Sequence, residues 1–188
     1  MAKVLIVNSS FRKGSNSTEL ASHVAEGARS KGHQITSIDI SRLAIGPCRG
    51  CQACLLPESD GCINKDGMRE LYPLIREAEV ILFVSPVYWF NVGGQIKQFI
   101  DRCYAVAVPK NHEGPSPFAA KKLGAVLVYG DADPFISGCV NAIRMFQDIC
   151  SYTGASWAGA MYGSAYETGE VKDNAALREK AVQYGAGL

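Results

Sequence analysis

Residues 3–10 have the sequence Lys-Val-Leu-Ile-Val-Asn-Ser-Ser, and this stretch is the strongest single indication of the fold. Four apolar residues in a row, followed at once by polar residues, are typical of a parallel strand that is buried on both faces. A helix is predicted next, because Leu20, Val24 and Ala28 recur at helical spacing. Gly32 then follows, a residue type that commonly ends helices. The chain therefore opens as a strand, a polar loop and a helix.

The same alternation continues along the chain. Further strands are predicted at residues 35–40, 80–84, 123–129 and 157–162. Helices are predicted at 66–78, 96–103 and 135–150 and from about Asn174, and a long proline-containing loop is predicted at 107–120. Strands that alternate with helices form a parallel sheet with helices on both faces. We therefore predict a single α/β domain over residues 1–188, a doubly wound five-stranded parallel sheet with the flavodoxin-like strand order 2-1-3-4-5.

Charge and hydropathy narrow the classes of function. The 188 residues include 19 Lys plus Arg and 18 Asp plus Glu, a formal net charge of +1, so the chain lacks the basic excess typical of nucleic-acid binding. No apolar run approaches the roughly 20 residues that cross a bilayer. The apolar run after Lys3 is also too short for a signal peptide. We expect a soluble cytoplasmic protein with neither a nucleic-acid nor a membrane partner.

The loop after the first strand, residues 9–18, is termed the phosphate loop here. Ligands of doubly wound sheets bind beyond the carboxyl ends of the strands, and the free N–H groups at a helix start attract a phosphate. The sequence has neither a Gly-x-Gly-x-x-Gly fingerprint nor a Walker A lysine pattern, which favours a single phosphate over a dinucleotide or triphosphate. An alternative is a simple capping box formed by Asn16 and Glu19. The candidate phosphate-binding residues are Ser9, Arg12, Ser15, Asn16 and Ser17.

The loop after the third strand, residues 85–94, is termed the ring loop. Three consecutive aromatic residues outside regular structure cannot all enter one core, so some should stack on a planar ligand or pack against a partner subunit. The alternative is that two of them fold back onto the domain. The candidate ligand contacts are Pro86, Val87, Tyr88, Trp89, Phe90 and Asn91. The loop after the fourth strand adds Gly130 and Asp131, although its aspartates favour a helix cap more than a ligand contact.

Together these loops resemble those of the NAD(P)H-dependent FMN reductases. Ser9-x-x-Arg12-x-x-Ser15-Asn16-Ser17 is similar to that family's FMN-phosphate loop. Residues 85–102, from Ser-Pro-Val-Tyr-Trp to Ile-Asp-Arg, are similar to its flavin-ring loop and the helix that follows. The resemblance covers about residues 3–130. It implies bound FMN, flavodoxin-like subunits, oligomers built partly around the ring loop, and two-electron reduction by a nicotinamide cofactor.

Four of the seven cysteines lie close together in a cysteine-rich segment, residues 46–62, termed the cysteine loop. The pattern Cys48-x2-Cys51-x2-Cys54-x7-Cys62 is similar to the compact motif of the iron–sulfur flavoproteins, a branch of the same family with a [4Fe–4S] cluster. Thiols without a cluster, either inert or redox-active, and a zinc site remain alternatives. The other three cysteines are expected to be small core residues: Cys103, Cys139 and Cys150.

The resemblance implies an FMN-dependent oxidoreductase that NAD(P)H visits transiently. We name no catalytic side chain, because the flavin supplies the chemistry. A homo-oligomer, dimer or tetramer, is expected. One alternative is a flavoprotein that receives electrons from ferredoxin and relays them singly through a [4Fe–4S] cluster. Others are a non-enzymatic flavin electron carrier and a metal-stabilised binding module.

Overall fold

Five parallel strands form the centre of the fold in the computed structural model, which describes residues 1–188. With one short antiparallel strand, the sheet has six strands: β1 (Lys3–Asn8), β2 (Gln34–Asp39), β3 (Val80–Tyr88), β4 (Asn91–Val92), β5 (Lys122–Tyr129) and β6 (Ser156–Ser164). The parallel strands follow the order β2-β1-β3-β5-β6, as the predicted doubly wound order requires. The two-residue β4 pairs antiparallel with the end of β3. This sixth strand was not predicted.

Helices cover both faces of the sheet. They are α1 (Asn16–Ser30), α2 (Met68–Glu77), α3 (Gly94–Ala107), α4 (Cys139–Thr153), α5 (Glu170–Asp173) and α6 (Ala175–Ala186). None of them has the length and apolar character that a membrane span requires. The predicted helix at 135–150 begins later, at Cys139, because Gly138 has a left-handed φ of 75°. The predicted start near Asn174 is confirmed, since Asn174 caps α6.

The two faces of the sheet pack into separate cores. Leu5 and Val7 belong to a core that β1 shares with α2, α3 and α4. Val4 and Ile6 alternate with them and belong to the core shared with α1 and α6. Side chains that alternate along a strand point to opposite faces. The prediction that β1 is buried on both faces is therefore confirmed, and this burial explains its continuous apolar run.

The three scattered cysteines are buried, as predicted. Burial raises the pKa of the Cys139 thiol to about 11 and raises the pKa of the Cys103 thiol as well. A thiol with a raised pKa stays protonated and unreactive at neutral pH. These cysteines therefore act as small packing residues of the core rather than as reactive thiols.

Candidate functional site

A cavity of about 500 Å³ lies beyond the carboxyl ends of β1, β3, β5 and β6. It brings together most of the residues predicted from the phosphate loop and half of those from the ring loop. Its lining is Ser10, Arg12, Ser15, Asn16, Ser17, Pro86, Val87, Tyr88, Val128, Tyr129, Gly130, Ala165, Tyr166, Glu167 and Thr168. Five of the predicted residues do not line it: Ser9, Trp89, Phe90, Asn91 and Asp131.

The start of α1 forms one wall of the cavity. Ser15 is the N-cap, and its Oγ accepts a hydrogen bond from the Thr18 amide at 3.4 Å and lies 2.9 Å from the Ser17 Oγ. The alternative in which Asn16 caps the helix is therefore wrong. The backbone amides of Asn16 and Ser17 have no hydrogen-bond partner within the protein. Free amides at the positive end of a helix make this wall suited to an anion.

Two of the other predicted phosphate-binding side chains, Ser9 and Asn16, are hydrogen-bonded to distant parts of the chain. The Ser9 hydroxyl is buried and donates to the Val84 carbonyl at 2.7 Å, which ties the end of β1 to β3. Asn16 uses its amide group to hold backbone groups that follow β6. Arg12, by contrast, is exposed, lines the cavity and forms no ion pair. The cavity therefore has a free guanidinium and the hydroxyls of the serines on its wall.

The ring loop is a β-hairpin rather than an irregular loop. Tyr88 is the last residue of β3 and pairs with Asn91 in β4, so the prediction that the aromatic residues lie outside regular structure was wrong for Tyr88. Trp89 and Phe90 form the turn, with positive φ angles of 50° and 67°. Their rings pack together with centroids 5.9 Å apart, and Trp89 is 92% exposed. Trp89, Phe90 and Asn91 do not line the cavity.

The hairpin turn is held from behind by the start of α4. A Cβ on Gly138 would come within 2.5 Å of the Phe90 Cα, so only glycine fits there. The Asn141 Nδ2 donates to the Phe90 carbonyl at 3.2 Å. Positive φ angles at two non-glycine residues persist only where the surroundings impose them. The fold therefore fixes this turn with its aromatic side chains outward.

The loop after β5 contributes one of its two predicted residues to the cavity. Gly130 lies in the wall, whereas Asp131 is exposed and does not line it. The predicted helix cap by an aspartate is wrong, because Gly138 is the N-cap of α4 and no side chain caps it. The Asp133 carboxylate instead accepts a hydrogen bond from the Phe135 amide at 2.6 Å, within the loop. Burial and then the neighbouring Cys139 raise the pKa of the Tyr129 hydroxyl. Tyr129 is therefore neutral at physiological pH.

Residues 165–168 also line the cavity, and the sequence analysis missed them. They directly follow β6, so the rule that ligands bind beyond the carboxyl ends of strands also applies to them. The Tyr166 ring packs so closely on Gly130 that a Cβ there would come within 2.9 Å of its Cδ2. This contact joins the segments after β5 and β6 into one wall.

The four clustered cysteines line a second cavity, of about 340 Å³. Cys48 and Cys51 are exposed, and Cys54 and Cys62 are half-buried. Burial, followed by the proximity of Cys62, raises the pKa of the Cys54 thiol. No group of three or more His, Cys, Asp or Glu side chains is arranged to hold a metal ion. The loop thus gathers four thiols around one space without forming a coordination shell.

A buried ion pair closes the base of the cysteine loop. Arg102 donates from Nη1 to the Gly46 carbonyl at 2.8 Å and to the Asp66 Oδ2 at 2.6 Å, and from Nη2 to the Asp66 Oδ1 at 3.1 Å. The Gly46 amide also donates to the Asp66 Oδ2 at 3.0 Å. The Arg102 side chain is fully buried. One guanidinium on α3 therefore holds together the start of the loop and Asp66, four residues after its end.

Further contacts attach the cysteine loop to α3 and the segment after it. The Gln95 Nε2 donates to the carbonyls of Ile40 and Leu43, in the segment that leads into the loop, at 2.9 and 3.2 Å. The Lys110 Nζ donates to the carbonyls of Cys54 and Ser59 at 2.6 and 2.8 Å. Because α3 begins at the end of the ring loop, this helix connects the ring loop to the cysteine loop.

The family model for NADPH-dependent FMN reductases matches residues 2–155. The chain belongs to this family. It is 31% identical over 127 residues to an iron–sulfur flavoprotein of Archaeoglobus fulgidus, a match that covers 68% of this chain and 54% of that protein. Two further relatives named iron–sulfur flavoproteins are covered over 63% and 57% of their length. The chain thus spans little more than half of these relatives.

Two other comparisons cover nearly the whole chain. A Bacillus subtilis protein, whose name describes an NAD(P)H-dependent FMN-containing oxidoreductase, is 27% identical over 177 residues, covering 93% of this chain and 92% of that one. The structure of oxidised flavodoxin 1 from Bacillus cereus superimposes with a TM-score of 0.63 at 15% identity, covering 99% of this chain and 96% of that one. The flavodoxin-like fold predicted from the sequence is confirmed.

Proposed function

We propose that this protein is an FMN-dependent oxidoreductase that accepts electrons from NAD(P)H and binds FMN non-covalently in the 500 Å³ cavity. The observation that carries the proposal is the wall at the start of α1. There the Arg12 guanidinium, the hydroxyls of Ser15 and Ser17 and two free backbone amides lie around one space. This donor set suits the dianionic phosphate of FMN.

The remaining walls suit the rest of the cofactor. The volume falls within the range of ordinary small-molecule sites, about 300–1,000 Å³. Pro86, Val87 and Tyr88 offer apolar and aromatic surface at the end of β3, where the flavin ring would lie. When bound, FMN supplies hydride and electron chemistry. The side chains of this protein bind and orient the cofactor, and none is assigned an acid–base role.

The test uses purified protein, first stripped of flavin and then reloaded with FMN. We expect about one FMN per chain, and anaerobic addition of NADH or NADPH should bleach the flavin absorbance. A protein that folds but takes up no FMN would contradict the proposal and favour a binding module. A protein that holds FMN yet is reduced by neither nucleotide would contradict the enzyme assignment and favour an electron carrier.

A second candidate function is a ferredoxin-linked iron–sulfur flavoprotein. Two observations favour it: the four thiols of the cysteine loop line one cavity, and several relatives are named iron–sulfur flavoproteins. The donor set matches a [4Fe–4S] cluster, but the present arrangement does not hold a metal. The thiols would have to converge further for a cluster to bind. Redox thiols without a metal fit the same cavity.

This second candidate is tested on anaerobically purified protein by measuring iron, acid-labile sulfide and zinc. A cluster predicts about four iron and four sulfide per chain, and Cys51→Ser should lower both. Cys150→Ser is the matched control, because that cysteine is buried in the core away from the loop. FMN-loaded protein that contains no iron and cannot be reconstituted would rule out the cluster and leave the FMN reductase proposal intact.

We also propose a homo-oligomer, dimer or tetramer, in the cytoplasm. The exposed aromatic turn of the ring loop supports self-association. A largely apolar groove of about 700 Å³ between α3 and α4 adds a second surface, which includes Lys97 and Ile100 at the start of α3. All seven cysteines are free, as in proteins of a reducing compartment.

A further inference from the structure

The side-chain amide of Asn16 forms three hydrogen bonds, all with one distant segment of the chain. Its Nδ2 donates to the Glu167 carbonyl at 2.7 Å. Its Oδ1 accepts hydrogen bonds from the amides of Gly169 and Val171, at 3.0 and 3.3 Å. These partners lie 151 to 155 residues further along the chain. Asn16 is buried, so the three hydrogen bonds are shielded from water and should be effective.

The segment that Asn16 holds, residues 165–171, includes residues 165–168, which line the proposed FMN cavity. Tyr166 packs on Gly130, and Thr168 places its methyl group beside Gly14 of the phosphate loop, 3.6 Å from where a Cβ would lie. The segment therefore contacts the cavity walls on both of its sides. A shift of this segment would change the shape of the whole cavity.

Apart from the bonds to Asn16, the hydrogen bonds of residues 166–171 are local. The amides of Lys172 and Asn174, which directly follow, donate to the carbonyls of Gly169 and Val171 at 2.9 and 3.3 Å. The Tyr166 amide donates to the Glu170 carboxylate, and the Glu170 amide donates to the Glu167 carbonyl, so both bonds are internal. The nearest outside support is the bond from the Ala165 amide to the Tyr129 carbonyl at 2.8 Å. Asn16 is thus the one side chain of α1 that hydrogen-bonds to the segment, while Val171 packs in the core shared with α1.

We propose that the Asn16 side chain positions the flavin site by clamping residues 165–171 rather than by contacting FMN, whereas its backbone amide stays free for the phosphate. This assigns to the clamp a residue that the sequence alone suggested as a phosphate ligand. The ligand's identity rests on the proposed function, whereas the clamp itself can be tested without any ligand.

The first test is hydrogen exchange on the flavin-free protein. In Asn16→Ala, the amides of Gly169 and Val171 should exchange at least about tenfold faster, because their acceptor is gone. Amides of the central strands should keep wild-type rates. Asn64→Ala is the matched control, since it removes a side-chain bond to the Pro47 carbonyl outside the cavity. Unchanged exchange at both amides in Asn16→Ala would overturn the clamp.

The second test is a double-mutant cycle on FMN affinity with Asn16→Ala and Tyr166→Ala. Asn16→Ala should weaken FMN binding about tenfold. Adding Tyr166→Ala to that variant should lower the FMN affinity by much less than Tyr166→Ala does in the wild type, because the wall is already displaced. Strictly additive losses would show that Asn16 acts independently of the segment and would overturn the proposal. If Asn16→Ala fails to fold, Asn16→Ser replaces it, because serine keeps a polar group there but lacks the carboxamide that forms all three bonds. A wild-type protein that binds no FMN would refute the proposed function but leave the exchange test valid.

Discussion

Trp89 and Phe90 sit at a two-residue hairpin turn with φ angles of 50° and 67°, which side chains other than glycine rarely adopt. Such backbone costs about 1–2 kcal/mol per residue. Phe90→Gly should therefore raise the free energy of unfolding by about 1 kcal/mol, after the loss of its contact with Trp89 and the flexibility of glycine are allowed for. Urea denaturation measures the change.

The opposite change at the same contact is the control. Gly138→Ala places a Cβ within 2.5 Å of the Phe90 Cα at a residue with a φ of 75°. We expect it to lower the free energy of unfolding by about 2–3 kcal/mol. A Phe90→Gly variant no more stable than the wild type would show that the turn is not strained.

The sequence revealed the residue types of the site better than their roles. Arg12, Ser15 and Ser17 line the cavity as the loop composition predicted. Ser9 instead bonds a carbonyl 75 residues away, and Asn16 bonds a segment still further along the chain. Partners so distant follow from the folded sheet, not from any local pattern, so these two roles could not be derived from spacing.

At the scale of elements, the closure of the cysteine loop depends on the pair between Asp66 and Arg102. Burial alone raises the pKa of Asp66, but hydrogen bonds from Arg102 and from the amides of Gly46 and Met68 outweigh it and hold that pKa below its ordinary 3.8. Breaking a buried pair typically costs about 3–5 kcal/mol. Asp66→Asn should therefore lower the free energy of unfolding by about 3 kcal/mol at neutral pH.

The contribution of Asp66 to the free energy of unfolding should depend on pH. A carboxyl with a lowered pKa stabilises the fold above its unfolded value, and the stabilisation is lost as the pH falls below 3.8 toward the folded value. The difference between wild type and Asp66→Asn should accordingly shrink in acid. Asp148→Asn is the control, because its pair with Arg144 is exposed and worth less than about 1 kcal/mol. Equal losses at neutral and acid pH would contradict the assignment.

The central strands and most helices could be predicted because burial on both faces leaves uninterrupted apolar runs, as in β1 and β3. The hairpin at β4 could not, since its turn is Trp-Phe rather than the Asn-Gly that signals a tight hairpin. Residues 165–168 carry no phosphate-loop or glycine signature, so only the position of β6 in the sheet reveals them.

For the whole molecule, we expect a homo-oligomer whose interface includes the ring loop. Trp89 is almost fully exposed beside a half-exposed Phe90, and large aromatic side chains of this kind mark interaction surfaces. Trp89→Ser should therefore weaken the assembly, as measured by sedimentation velocity across a range of protein concentrations. Leu56→Ser, at an exposed apolar residue of the cysteine loop, is the control. A wild-type monomer at micromolar concentration, with FMN bound, would contradict the interface.

The measurement that tests the central claim most directly compares the affinities of FMN and riboflavin, which differ only in the phosphate. If that phosphate lies at the start of α1, the wild type should bind FMN at least about 100-fold more tightly, since each bond to a charged group contributes about 1.5–3 kcal/mol. Arg12→Ala should reduce this ratio about tenfold or more, whereas Lys13→Ala, the neighbouring cation that does not line the cavity, should leave it unchanged. Equal affinities for FMN and riboflavin in the wild type, or equal effects of the two substitutions, would contradict the account.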